Sequence, residues 1–475
     1  MERLESCLIN REETALFADY YEFTSGKADF DHGDNETITE TFFVRNVPKY
    51  LGAYLVSAGL EQVVEFIKNY HISAEDAKWL KVTSGKDFDE KFIDYLRKFK
   101  FHGDIYAMPE GTIFFPNEPV LSITGPSVDV QMFETYLLAI MNFQTLIATK
   151  ASRIVNAADG RTVLEFGSRR AHGRDAALLG ARAAYIGGSD GSALVLAGKK
   201  LGIPYIGTMP HKFVQERDSE LDAFREYAES FPRNTVLLID TYDAVSGAEN
   251  ACTVGKELRN RGCDLMGVRI DSGNLLQLSE KVRTILDRNG FKKTKIFASS
   301  DLDEYQIADL VAKGAPIDGF GVGTRLITGA NFDSVSGNGA VSALGGVYKL
   351  VEVRRNGVDI PTIKISNDSD KTTLPGRKQV YRFYDGDKFA YDEITRFDEK
   401  RPNGERLLVP IMRAGRLVYK FPKINGIRKN HFNQLLRLDK AYKKLKDSPL
   451  YKVKISDDLA ALKRHLIESR AELSG

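Results

Sequence analysis

From Arg161 to Gly329 the chain alternates short apolar runs with amphipathic stretches. Apolar runs recur at 162–166, 203–207, 235–240, 265–270, 294–298 and 317–322. Between them, helical periodicity is clearest over 212–231, 244–261, 275–289 and 304–313. Alternation at a spacing of about 30 residues predicts consecutive strand–helix units and a parallel sheet. Six such units fit an irregular or incomplete (β/α) barrel or an open doubly wound sheet, and periodicity leaves both open. Polar residues follow every strand instead of gathering at one switch point, which favours the barrel.

The flanking segments follow another rhythm. Residues 12–22 read as a short helix with Leu16, Phe17 and Tyr20 on its apolar face, and 37–46 alternates like a strand that Pro48 ends. Helical spacing returns over 51–70, and 75–99 reads as two short helices. Residues 103–125 break into short strands around Pro109, Pro116 and Pro119. The 129–158 pattern is a long helix, apolar on most sides and so a buried connector. Past Gly329, 345–354, 379–386 and 406–420 read as antiparallel strands, while 427–446 and 456–471 read as basic helices with solvated faces. The polar loop 367–373 is the segment expected to move most. Both ends of the chain are therefore α+β around a central α/β region.

Composition narrows the function only slightly. With 475 residues, 43% of them hydrophobic and 28% charged, the chain can build two or three domains with a large core. A net charge of +2 demands neither a nucleic acid nor an anionic membrane. The three cysteines, Cys7, Cys252 and Cys263, are too few and too scattered for a disulfide framework or a cysteine zinc site, and no structural zinc is expected. Acidic residues occupy MERLESCLINREE where a signal peptide needs an apolar run. The longest apolar stretch, 136–149, is shorter than the roughly 20 residues that span a bilayer. These features predict a soluble cytoplasmic protein.

Candidate chemistry sits just beyond the predicted strands. His211 follows Gly207-Thr208-Met209-Pro210, Asp240 ends VLLIDTYD, and Asp271 ends GVRIDSGN. Arg269 and Asp271, two apart on a strand, project to one side. A lone histidine is commonly a packed or surface residue, and an aspartate at a strand end can simply cap the next helix. The same capping alternative applies to Ser299-Ser300-Asp301. Gly321-Val322-Gly323-Thr324 could offer backbone N–H groups to a phosphate, a weak signal alone. Together these groups describe a pocket with several anion donors and two or three carboxylates, suited to a phosphorylated sugar bound with a divalent cation.

The motifs resemble those of the nicotinate phosphoribosyltransferases, within the type II phosphoribosyltransferase group. The matching pieces are Asp19-Tyr20-Tyr21, Leu164-Glu165-Phe166-Gly167-Ser168-Arg169-Arg170, Gly188-Ser189-Asp190 and Gly207-Thr208-Met209-Pro210-His211. They continue with Asp240-Thr241-Tyr242-Asp243, Arg269-Ile270-Asp271-Ser272-Gly273, Gly321-Val322-Gly323-Thr324, Gly345-Gly346-Val347-Tyr348-Lys349-Leu350 and Thr373-Leu374-Pro375-Gly376-Arg377-Lys378. The resemblance implies transfer of 5-phosphoribosyl from phosphoribosyl pyrophosphate to nicotinate, driven by ATP through a phosphohistidine at His211. It implies an irregular α/β barrel over 151–340, and an α+β domain in which 1–150 is joined by 341–475.

By the same resemblance, Phe166 stacks on the pyridine ring, with Tyr21 of a second subunit on the other face. Arg169, Arg269, Asp190, Ser272 and Gly273 bind substrate, and Ser300, Gly321, Gly323 and Thr324 bind phosphate. Asp240 and Asp271 act on the ribose and hold Mg²⁺, and the expected assembly is a homodimer with shared sites. Lys212 stands where related enzymes often carry a small hydroxyl residue. A second reading keeps the chemistry with nicotinamide as substrate, and a third is a non-catalytic barrel that binds phosphorylated sugars.

Overall fold

The computed structural model describes residues 13–33, 36–47, 51–85, 87–330, 343–365 and 372–474, without side chains for the last five. Cys7 and residues 367–371 of the polar loop lie outside this set. The chain divides into two units, one of residues 146–343 with 445–447, the other of 1–145, 344–444 and 448–475.

The 146–343 unit carries six parallel strands in the order Gly191–Ser192, Thr162–Glu165, Gly319–Val322, Lys295–Ser299, Gly267–Ile270 and Val236–Leu238. Val163, Leu237, Val268, Ile270, Ile296, Phe320 and Val322 are all buried, as expected of strands covered on both faces. The last strand pairs with the first, so every step between sequential neighbours runs the same way and no switch point exists. This order argues against the doubly wound alternative. The fold is mixed α/β, and among the described residues no hydrogen-bonded pairing joins Val236–Leu238 to the opposite edge.

That edge departs from expectation. The run 203–207 contributes a single parallel bridge, Tyr205 with Ser192, because Pro204 has no N–H to extend the ladder. Gly191–Ser192 forms a short strand, paired in parallel with Leu164 and Glu165. The single helix expected over 212–231 is two, His211–Gln215 and Glu220–Ser230. Ser219 lies between them in extended conformation, and its hydroxyl caps the second helix through the Asp222 N–H at 3.1 Å.

The second unit interleaves both ends of the sequence. Its seven-stranded sheet runs Val358–Pro361, Gly346–Arg355, Thr37–Val44, Pro119–Pro126, Asp104–Ala107, Val409–Arg413 and Arg416–Leu417, with antiparallel neighbours. A four-stranded sheet combines Glu405–Arg406, Lys378–Asp385, Lys388–Arg396 and Val453–Ile455. In place of the helix expected over 12–22 there is a 3-10 turn, Glu13–Leu16, and then the α-helix Tyr20–His32, which Asp19 begins with a capping box to Glu22; Phe17 and Tyr20 are exposed. Among the described residues no helix is long and apolar enough to cross a membrane.

Candidate functional site

Three capping alternatives are settled by the helix starts. Asp243 caps Ala244–Asn260, Asn274 caps Leu275–Arg288 and Asp303 caps Glu304–Ala312. Asp240, Asp271 and Ser299 are thereby free of that duty, and they meet each other instead. Asp240 Oδ2 accepts the Asp271 N–H at 2.7 Å and the Ser272 hydroxyl at 2.8 Å. Asp271 Oδ1 accepts the Ser299 hydroxyl, and its Oδ2 lies 3.6 Å from His211 Nε2. His211 Nδ1 is 3.1 Å from Thr241 Oγ1. The imidazole is thus hydrogen-bonded at Nδ1 and faces a carboxylate at Nε2, both from other strand ends, while its side chain remains 39% exposed.

Beside this network a small cavity is lined by Phe166, Thr208, Arg269, Phe297 and Gly321. Phe166 follows the first strand, its N–H bonded to the Val322 carbonyl at 2.8 Å. A Cβ on Gly321 would stand 2.6 Å from the Phe166 ring, so only glycine lets the ring lie against that strand. Arg269 donates to the Met209 carbonyl at 3.4 Å, but its Nε is buried without a partner. Burial lowers the Arg269 pKa, with Asp271 and Asp240 opposing and Arg169 adding repulsion. Thr208 Oγ1 and Asp240 Oδ1 are also buried and unpartnered. Buried polar groups without partners are costly, and two of these three, Thr208 and Arg269, line the cavity, where a ligand can complete the bonding. The unpartnered Arg269 Nε offers such a ligand a donor.

The remaining expected site residues fall in different places. Gly273 adopts a left-handed φ of 77° just after Ser272, turning the chain towards the next helix. Gly321 lies inside the last strand, Gly323 just past it, and Thr324 opens the short helix Thr324–Ile327. Ser300 and Asp301 have φ of 142° and 42°, an uncommon conformation for residues with a side chain, and Arg325 pairs with Asp301 at 2.9 Å. Ser299, the residue before Ser300, donates to the Asp271 carboxylate.

Asp190 sits elsewhere. Its carboxylate accepts the Val163 N–H at 3.0 Å, near the N-terminal end of the first strand and away from Phe166. The next residue, Gly191, begins a strand. Lys212 is 81% exposed and paired with Glu216 at 3.0 Å, the arrangement of a solvated helix lysine. Tyr21 belongs to the other unit, where its hydroxyl donates to Glu134 Oε2 at 2.8 Å; burial and that carboxylate push its pKa upward.

Sequence reasoning gave no role to Thr241, Thr208 or Glu165, and left Ser299 open between a helix cap and a ligand. Glu165 is fully buried, accepts the Ser192 hydroxyl at 2.5 Å and the Gly167 N–H, and so fixes the turn that carries Phe166. Its position as a charged residue closing an apolar run was the available signal. Among the described residues no group of three or more acidic, histidine or cysteine side chains could hold a metal ion.

Fold and site together define a mixed α/β protein with histidine, carboxylate and guanidinium groups gathered at the C-terminal ends of parallel strands. Comparison with known proteins gives the particular lineage. Family models match for the nicotinate phosphoribosyltransferase N-terminal domain over residues 16–142, the nicotinate phosphoribosyltransferase family over 162–397 and its C-terminal domain over 403–463. The chain is 40% identical over 492 residues to nicotinate phosphoribosyltransferase of Bacillus subtilis, covering 97% of each protein. It is 39% identical over 451 residues to nicotinate phosphoribosyltransferase pncB2 of Mycobacterium tuberculosis, covering 94% of this chain and 93% of that one. The structure of human nicotinic acid phosphoribosyltransferase superposes with a TM-score of 0.82 at 27% identity, covering 94% of this chain and 99% of the human chain. The chain belongs to the nicotinate phosphoribosyltransferase family, enzymes of NAD biosynthesis.

Proposed function

We propose that the chain transfers 5-phosphoribosyl from phosphoribosyl pyrophosphate to nicotinate, forming nicotinate mononucleotide and pyrophosphate, and that ATP drives the reaction through a phosphohistidine at His211. The observation that carries this reading is the imidazole suspended between Thr241 and Asp271 beside the Phe166–Arg269 cavity. The Asp271 carboxylate facing Nε2 favours a proton there, leaving the Nδ1 lone pair to accept from the Thr241 hydroxyl. When that hydroxyl turns away, Nδ1 can attack the γ-phosphorus of ATP, forming a P–N bond as the bond to ADP breaks. Asp271 balances the charge that develops on the ring.

In the transfer step the pyridine nitrogen attacks C1′ of the ribose as the bond to pyrophosphate breaks. Phe166 offers an aromatic face to the pyridine, and the unpartnered Arg269 Nε a donor to an anionic group. Positive charge grows on the sugar ring, where Asp240 and Asp271 stabilise it. Mg²⁺ fits the donor set: Asp240 Oδ1 lacks a partner, and one or two carboxylates suffice for a cation that takes its other ligands from phosphates and water. When bound, it would neutralise charge on the leaving pyrophosphate. The α/β unit would then be an irregular barrel, its remaining seam lying between Tyr205 and Val236. The active assembly would be a dimer in which Tyr21 of the partner subunit covers the second face of the pyridine.

Incubation with γ-labelled ATP tests the central step. Wild-type protein should retain acid-labile, base-stable label that His211→Ala lacks, while His211→Asn keeps slow transfer uncoupled from ATP. Label that persists in His211→Ala would refute the assignment.

A further inference from the structure

The unit formed by both ends of the chain holds a cavity of about 240 Å³ that the proposed reaction does not use. Its walls include Phe43, Pro119, Leu374, Ile394 and Ile455. The charged side chains lining it among the described residues are two lysines, Lys378 and Lys463, with no carboxylate. Lys378 ends the Thr373-Leu374-Pro375-Gly376-Arg377-Lys378 motif, to which neither the strand-end site nor the reaction gives a role.

Lys378 is only 4% exposed. Its ammonium donates to the Leu374 carbonyl at 2.8 Å and the Gly376 carbonyl at 2.6 Å. No carboxylate among the described residues lies within ion-pair distance of it. An ammonium has three donors, and burying it without a counter-charge is strongly unfavourable. Burial accordingly pushes its pKa down to about 7, opposed only by Glu352. Glu352, on the neighbouring Gly346–Arg355 strand, is turned to the Arg377 N–H at 3.3 Å. The other charged groups nearby are cationic: Arg377 beside it, Arg396 across the Lys378–Asp385 ladder, and Lys463 on the Asp457–Ser474 helix. Glu352 acts on the ammonium only from beyond ion-pair distance, and no carboxylate lines the cavity itself.

We propose that the cavity is a second binding site, for a small monocarboxylate with an apolar body, whose carboxylate pairs with the Lys378 ammonium while the body fills the apolar walls. Such a ligand supplies the missing counter-charge and favours the protonated lysine. Binding then takes up a proton near neutral pH. Affinity is highest below the free-site pKa and weakens as pH rises through it, by about fivefold from pH 7 to 8.

Benzoate is a suitable probe, because it has no ring nitrogen to accept a phosphoribosyl group. Calorimetric titration of the full chain in two buffers of different ionisation heat should show a component that takes up about half a proton at pH 7. Lys378→Met should remove that component and leave the nicotinate KM unchanged. Ile394→Phe, which fills the cavity but keeps the ammonium, should remove it too, and tests the site independently if Lys378→Met fails to fold. The proposal is overturned if millimolar benzoate shows no such component, if binding takes up no proton, or if the component survives in either folded variant.

Discussion

Asp271 has three engagements at once: its N–H on Asp240, its Oδ1 on Ser299 and its Oδ2 towards His211. Ser299 is thus a positioning residue, since it touches the carboxylate that orients the imidazole. Ser299→Ala removes a hydrogen bond to a charged group, worth roughly 1.5–3 kcal/mol, so ATP-coupled kcat should fall about ten- to a hundredfold with nicotinate KM little changed. Ser300→Ala should stay within about threefold, because no hydrogen bond ties Ser300 to Asp271. Steady-state kinetics on both variants checks this, and an equal loss of ATP-coupled kcat in Ser300→Ala would contradict the role given to Ser299. The strand-end position of this pair was legible in the sequence. Which serine faces Asp271 depends on the register of two parallel strands joined by a whole helix, and that register is a tertiary property.

At the scale of elements, the last strand is built to let Phe166 lie against it. Gly319 leaves room for Phe297, whose ring atoms would stand 2.8 Å from an added Cβ, and Gly321 does the same for Phe166 at 2.6 Å. Gly321→Ala must displace that ring, at a strain of about 1–3 kcal/mol. The expected outcome is a nicotinate KM raised at least about tenfold in a protein that still folds, read from kinetics together with a melting curve. An unchanged KM would mean that the ring is not the pyridine platform.

Apolar periodicity located most parallel strands and their helices to within a residue or two, because burial on both faces leaves an unbroken hydrophobic run. It failed where a local group overruled the period. Ser219 split one helix, Pro204 starved one strand of donors, and Asp190 spent its carboxylate on the Val163 amide. Lys388–Arg396 was missed as a strand because Asp392 and Glu393 interrupt its apolar alternation, and Val453–Ile455 because three residues are too short to show a period.

For the whole molecule, Tyr21 and His211 belong to different units of the chain, and the proposed site joins them across a dimer. Tyr21→Ala and Asp271→Ala should each be nearly inactive alone. Co-expressed hybrids should recover about a quarter of wild-type activity, because half the dimers are mixed and each mixed dimer keeps one site without either lesion. Mixed dimers that form but recover nothing would contradict sharing.

The most direct test of the account is the choice between acid and amide. Nicotinate brings a full negative charge to the buried, unpartnered Arg269 Nε, whereas nicotinamide presents a neutral group and leaves that donor unsatisfied. We therefore measure nucleotide formation from phosphoribosyl pyrophosphate with each base, in the presence and absence of ATP. The account predicts a kcat/KM at least about a hundredfold higher for nicotinate, roughly 2.7 kcal/mol, with stimulation by ATP that His211→Ala abolishes. Equal use of the two bases, or a preference for the amide, would contradict it.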